Sequence, residues 1–161
     1  MTSVLVDTDT GFEQFYREHR DQIARALALA TGNADLGAEA ADEAMARALA
    51  RWDSLDAMRN PAGWVYRVGL NWVRSSLRRR RHAPVVYREA AAADASGIGD
   101  TTLDRALAAL PLIHRSVVVC RYLLDWSVED TARALGISPG TVKSRLNRAL
   151  AKLRHELKED A

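Results

Sequence analysis

Between Trp126 and Arg154 the chain reads WSVEDTARALGISPGTVKSRLNRALAKLR, and from Ala132 to His155 it has six basic residues and no acid. Hydroxyl, amide and guanidinium groups in that setting make no bonds of their own, but they donate hydrogen bonds to base edges and phosphates. Val142, Leu146, Leu150 and Leu153 fall on one apolar stripe at helical spacing. At about 100° per residue, Thr141, Ser144 and Arg148 point most nearly away from that stripe, Asn147 lies beside them, and Lys143, Arg145 and Lys152 flank them. Laid in a major groove, such a helix would offer Ser, Asn and Arg to bases and its flanking cations to phosphates.

The residues upstream predict how that helix is held. Ser127 is placed to cap a first helix, with Asp130 three residues on as a capping-box variant, and Val128, Ala132 and Leu135 share an inward face. Gly136 supplies a left-handed stop, Ser138 a second cap, and Pro139 a first helical position where a missing N–H is harmless. Two short helices, a tight turn and an acid-free basic face together make a helix-turn-helix, which points to DNA.

Charge supports a chain that touches more than one partner. The net charge is only +2, yet 1–56 carries five basic and eleven acidic residues, whereas 57–88 carries eight basic and none acidic. Residues 89–131 return to three basic against seven acidic. Acidic and basic blocks alternating in this way fit DNA contacts at two places and a protein contact elsewhere.

The 161 residues suffice for one domain or two small ones, and a 48% hydrophobic content with few aromatics favours helical cores. The lone cysteine, Cys120, cannot form an intramolecular disulfide and fits a reducing, cytoplasmic setting; Ile113, Val117 and Leu124 share its face and predict a buried thiol. No apolar run reaches membrane-span length, and the acidic start lacks a signal peptide's cations. A soluble cytoplasmic protein without membrane contact is expected. No glycine-rich phosphate loop, catalytic constellation or metal-ligand spacing is present, so neither an enzyme nor a cofactor is expected.

The N-terminal half is predicted to be three helices. The first takes Thr10 as its cap and points Phe12, Phe15, Tyr16, His19 and Ile23 inward, with His19 at the core boundary, before Gly32-Asn33 stops it. The second, from about Asp35 to Arg51, gathers Glu39, Asp42 and Glu43 on its surface. The third opens at Asn60-Pro61 and runs through GWVYRVGLNWVRSSLRRRR, with Trp64, Val65, Val68 and Trp72 as one apolar stripe and Leu70, Val73 and Leu77 as another. Arg67, Arg74 and Arg78–Arg81 bring cations beside its aromatics, a combination suited to single-stranded DNA, although both tryptophans fit a packing role. His82 to Thr101, with Pro84, a run of alanines and two glycines, reads as a linker.

These motifs resemble those of extracytoplasmic-function sigma factors of bacterial RNA polymerase. The string SVEDTARALGISPGTVKSRLNRALAKLR, with Leu110-Pro111 and Arg115 upstream, is similar to the family's C-terminal promoter-reading domain. Glu39-Ala40-Ala41-Asp42-Glu43-Ala44-Met45-Ala46-Arg47-Ala48 resembles its acid-rich second helix, departing from the family pattern at several positions. Residues 60–81 resemble the helix that melts the minus-10 element, matching at Pro61, Ala62, Trp64, Tyr66, Arg67, Asn71, Leu77, Arg78 and Arg79. Ser75 stands where Asp is usual, and the family's Phe-Arg-Gly loop is absent.

The resemblance implies an all-α fold of two small domains: 10–81, which binds the polymerase clamp and the minus-10 element; a linker, 82–101; and 102–157, which reads the minus-35 element. It leaves no room for the extra domains of housekeeping sigma factors. Glu39, Asp42, Glu43 and Arg47 would grip the clamp helices of the largest subunit, and the flap of the second-largest subunit is a further expected contact. Arg59, Asn60, Arg67, Asn71, Arg74 and Arg78 would meet minus-10 DNA. Thr141, Lys143, Ser144, Arg145, Asn147, Arg148 and Lys152 would meet minus-35 DNA. Core RNA polymerase and promoter DNA are the implied partners, an anti-sigma factor is left open, and a free-standing helix-turn-helix regulator is the alternative.

Overall fold

Gly32, at a left-handed φ of 73°, ends the first helix, and Asn33 begins the second by accepting the Leu36 N–H in its side chain at 3.0 Å. The computed structural model describes residues 3–82 and 101–159, with side chains described from residue 11. Helix α1 spans Ser3–Thr31, α2 Ala34–Ala50, α3 Trp52–Leu55 and α4 Pro61–Arg81. From residue 101 onward, α5 spans Thr102–Ala108 and α6 Leu112–Val118, which continues as a π-helical segment, Val119–Leu123. Helix α7 spans Val128–Leu135 and α8 Pro139–Glu159. Among the described residues there is no strand, as the all-α expectation requires. Apart from His82 and Thr101, the expected linker lies outside the described residues.

Small residues set the spacing of the first two helices. Ala26, Ala30, Ala40, Ala41, Ala44 and Ala48 are fully buried, and a Cβ on Gly37 would come within 2.4 Å of the Ala28 backbone nitrogen. Backbones this close leave no gap for a side chain, so the pair packs as a slab on which α4 lies. Gly69 of α4 makes a similar approach to Leu27, where a Cβ would lie 2.7 Å from a Leu27 methyl. Phe12 and Phe15 pack on Trp52 of α3, with ring centroids 5.5 and 4.9 Å away, and so fasten the α2–α4 connection to α1.

Several sequence expectations need correction. Helix α1 begins at Ser3, so Thr10 lies inside it and is not its cap. Tyr16 and Leu77 are exposed, and Trp64, Val68 and Trp72 only half-buried. The buried side of α4 is Ala62, Val65, Tyr66, Gly69, Leu70, Val73 and Ser76, one turn-by-turn stripe that centres on Tyr66 rather than on the tryptophans. Ile113 is exposed as well, although Cys120, Val117 and Leu124 are buried as expected.

The two halves share their interior. Val119, Cys120 and Leu124 enter the same apolar core as Ile23, Leu27, Tyr66 and Leu70, and the edge of Trp126 meets Tyr66 at 5.7 Å and 87°. A second cluster joins α5, α6 and α8 through Leu107, Leu110, Val118, Ala149 and Leu153, and a third joins Val117, Ala132 and Val142 beneath the helix-turn-helix. Thr101 caps α5 in a reciprocal box with Asp104.

Candidate nucleic-acid interface

The turn between α7 and α8 has the form its residues predict. Ser127 accepts the Asp130 N–H at 3.0 Å, Gly136 ends α7 at φ 67°, and Ser138 accepts the Thr141 N–H at 3.1 Å with Pro139 opening α8. In the expected capping box the Asp130 carboxylate would reach back to the Ser127 backbone. The carboxylate is held instead by Arg133 at 2.6 Å, with Arg59 3.8 Å away. Arg133 is the main reason its pKa lies below the ordinary aspartate value, with a hydrogen bond to Ser127 and then Arg59 adding weaker pulls.

Val142, Ala149 and Leu153 anchor α8, Leu146 and Leu150 being half-buried beside them. Lys143, Ser144, Asn147, Arg148 and Lys152 are exposed on the outer side, and Thr141 and Arg145 are half-exposed, so every residue expected to meet minus-35 DNA lies on or at the rim of one accessible face. Ser144 Oγ donates to the Thr141 carbonyl at 3.2 Å, and Lys152 Nζ donates to the Ala109 carbonyl at 3.0 Å, which ties the far end of the face to the end of α5. Sequence spacing gave no sign of His114, which α6 brings to the edge of this cationic surface. Burial first, and then Arg145, Arg148 and Lys152, lower its pKa below the ordinary histidine value.

Asn60 caps α4 by accepting the Gly63 N–H at 3.1 Å, which commits its side-chain oxygen and leaves its amide nitrogen available. Arg67, Asn71, Arg74 and Arg78 recur at intervals of four, three and four, and all four are exposed, so they form one polar stripe opposite the Tyr66 side. The two ends of that stripe differ in surroundings. Asn71, Arg74 and Arg78 open outward, whereas the Arg67 guanidinium lies against Gly136, 2.8 Å from where a Cβ on that glycine would be. A cavity of about 280 Å³ beside it is walled by Arg59, Asn60, Trp64 and Arg67 from one half and Asp130, Arg133 and Ala134 from the other.

Glu39, Asp42 and Glu43 stand on the outer side of α2 as expected, with two of them already engaged. Arg20 Nη2 lies 2.9 Å from Asp42, which is the first cause of the raised Arg20 pKa, and Arg47 Nη2 lies 3.1 Å from Glu43. Arg80 turns back from the end of α4 to line a groove with Asn33, Leu36, Glu39 and Asp42. That places it with the acidic group rather than with the α4 stripe. Groups of three or more acids, histidines or cysteines able to hold a metal are absent among the described residues. No helix of the described residues is long and apolar enough to cross a membrane.

Comparison with known proteins gives a consistent result. Residues 101–153 match the family model "Sigma-70, region 4". The RNA polymerase sigma-E factor of Streptomyces coelicolor is 33% identical over 151 residues, covering 91% of this chain and 85% of that protein. The ECF RNA polymerase sigma factor SigM of Mycobacterium tuberculosis is 33% identical over 150 residues, covering 88% of this chain and 74% of its own. The fold is similar to that of the sigma factor RpoE solved with the anti-sigma factor NepR from Bartonella quintana, with a TM-score of 0.74, 22% identity, and coverage of 93% of this chain and 98% of that one.

Proposed function

The chain belongs to the ECF RNA polymerase sigma factors, and from that premise we propose how its parts divide the work at a promoter. It binds core RNA polymerase and directs promoter-specific initiation of transcription. Sigma factors lend sequence specificity to an enzyme whose chemistry resides elsewhere, and every surface described above suits binding rather than catalysis.

The observation that carries the assignment is the exposed cationic face of α8, anchored at Val142, Ala149 and Leu153 and free along Lys143, Ser144, Asn147 and Arg148. Residues 102–157 read the minus-35 duplex with this face. Ser144, Asn147 and Arg148 meet base edges, while Lys143, Arg145 and Lys152 meet phosphates, and Thr141 sets the approach at the N-terminus of α8. Within residues 10–81, Arg59, Asn60, Arg67, Asn71, Arg74 and Arg78 handle the unstacked minus-10 strand, guanidinium planes serving both stacking and backbone contact. Glu39, Asp42, Glu43 and Arg47 dock on the clamp helices of the largest polymerase subunit, and the C-terminal half meets the flap of the second-largest. The chain acts where polymerase acts, in the cytoplasm. An anti-sigma factor is a fitting regulator, since the RpoE structure of similar fold is a complex with one.

Holoenzyme binding to a randomised promoter library tests the division between base and phosphate contacts. Arg148→Ala should relax base preference at one step of the minus-35 element, with about 1.5 kcal/mol of discrimination lost there, or roughly 10-fold. Lys152→Ala should weaken all sequences evenly and flatten the salt dependence. Identical sequence profiles for the two variants would refute the roles.

A further inference from the structure

We propose that Arg20 of α1 is a positioning residue for polymerase docking, holding the Asp42 carboxylate in place from the neighbouring helix before the clamp arrives. This rests on reading the outer side of α2 as the docking surface. Arg20 donates to Asp42 Oδ1 twice, from Nε at 3.1 Å and from Nη2 at 2.9 Å, while its Nη1 donates to Asp21 at 3.2 Å. All three nitrogens of one planar group are thus engaged, so the guanidinium cannot rotate without breaking a bond. Both bonds to Asp42 end on Oδ1, and among the described residues Oδ2 takes none. One oxygen is anchored, and the other stays available to a donor of the polymerase.

The geometry follows from the packing of α1 on α2. The close antiparallel contact that brings Ala28 against Gly37 also brings Arg20, about two turns earlier in α1, alongside Asp42. Because the two helices form one slab, the base of Arg20 is fixed relative to Asp42. The Arg20 side chain is 25% exposed against 58% for Asp42, so the cation is held in the structure while the carboxylate it grips is presented to solvent. Among the described residues, the other two acids of the group are not anchored across helices in this way. Glu43 pairs with Arg47, one turn along the same helix, and Glu39 only shares a groove with Arg80. Charge and position then pull in opposite directions. Loss of the Arg20 cation makes the α2 face more negative, which by attraction alone would strengthen docking on a cationic partner, but between exposed groups in salt that attraction is small. Loss of its hydrogen bonds frees the Asp42 side chain, whose ordering at the interface would lower affinity on the order of fivefold. Positioning outweighs charge, so a cation strengthens an acidic contact.

The test measures affinity of the full-length chain for core enzyme at physiological ionic strength, with thermal unfolding of each variant recorded alongside. Asp42→Ala should weaken binding by about 10-fold or more. Arg20→Ala should weaken it by about fivefold. Arg20→Lys should restore binding to within about twofold, since an ammonium can also donate to a single oxygen. In the Asp42→Ala background, Arg20→Ala should change affinity by less than about 1.5-fold, because its effect passes through Asp42. Lowering the salt should narrow the Arg20→Ala loss, the freed negative charge then attracting at longer range. Melting temperatures should fall by only about 1–2 °C, as the loss of an exposed cross-helix pair warrants. Full affinity in Arg20→Ala beside reduced affinity in Asp42→Ala would overturn the positioning role and leave the docking surface standing. An equal loss from Arg20→Ala with and without Asp42 would overturn it too, by showing that Arg20 acts on its own. If Asp42→Ala and Glu43→Lys both bound core enzyme at full strength, both readings would fall, and the error would lie in the docking surface itself.

Discussion

Gly37→Ala should lower the melting temperature by about 6–12 °C, corresponding to about 3 kcal/mol in a chain of this size. In an exposed helix the same exchange would be favourable by up to about 1 kcal/mol, because alanine is the better helix former. Here the added methyl would sit 2.4 Å from the Ala28 nitrogen, 2.6 Å from its Cα and 2.8 Å from its Cβ. Two of those atoms are backbone and cannot turn aside, so α1 and α2 must separate along their alanine-lined contact. The steric effect outweighs the propensity gain. Gly140→Ala is the matched control, since its nearest neighbour, Ser138 Oγ, is 3.9 Å from the new Cβ. Calorimetry on the two variants checks the prediction, and equal melting temperatures would contradict the close approach of α1 and α2.

Glu43→Lys should weaken association with core polymerase by about 3 kcal/mol, on the order of 100-fold, while leaving the isolated fold stable. Glu43 is half-exposed, and its described partner is Arg47, an i,i+4 pair whose loss changes stability by only about 0.5 kcal/mol. A reversed charge at a proposed docking surface acts differently, since it places like charges together where solvent is excluded. Affinity for core enzyme and thermal unfolding, measured on the same preparation, separate the two effects. If core affinity were unchanged, the clamp contact would have to lie on another surface.

The helix-turn-helix was legible because each of its features is local. Ser127, Gly136, Ser138 and Pro139 act within four residues of themselves, and the Val142 to Leu153 stripe follows from helical period alone. The acidic group on α2 and the start of α4 at Asn60-Pro61 could be found for the same reason. What escaped the sequence depends on partners distant in the chain. Tyr66 gave no signal that it, rather than Trp64 or Trp72, would be the largest fully buried side chain of α4, since that is decided by Ser116, Cys120 and Trp126 some 50–60 positions later. Helical period puts Ile113 on the face of Val117 and Cys120, but only the latter two meet an apolar core, and the helices that form it lie far away in the chain. Arg59 and Arg67 were legible as cations near DNA, but their neighbours Asp130 and Gly136 belong to the opposite half.

That opposite-half contact also bears on the DNA grip of the free chain. A few base contacts at about 1–3 kcal/mol each, on a chain of modest net charge, leave little specific affinity without polymerase. The most direct test is transcription from a genomic template with purified chain and purified core enzyme, separately and together, followed by mapping of the 5′ ends. Discrete start sites sharing upstream and downstream elements should appear only when both are present. Undirected initiation by the mixture, identical to that of core enzyme alone, would contradict the account.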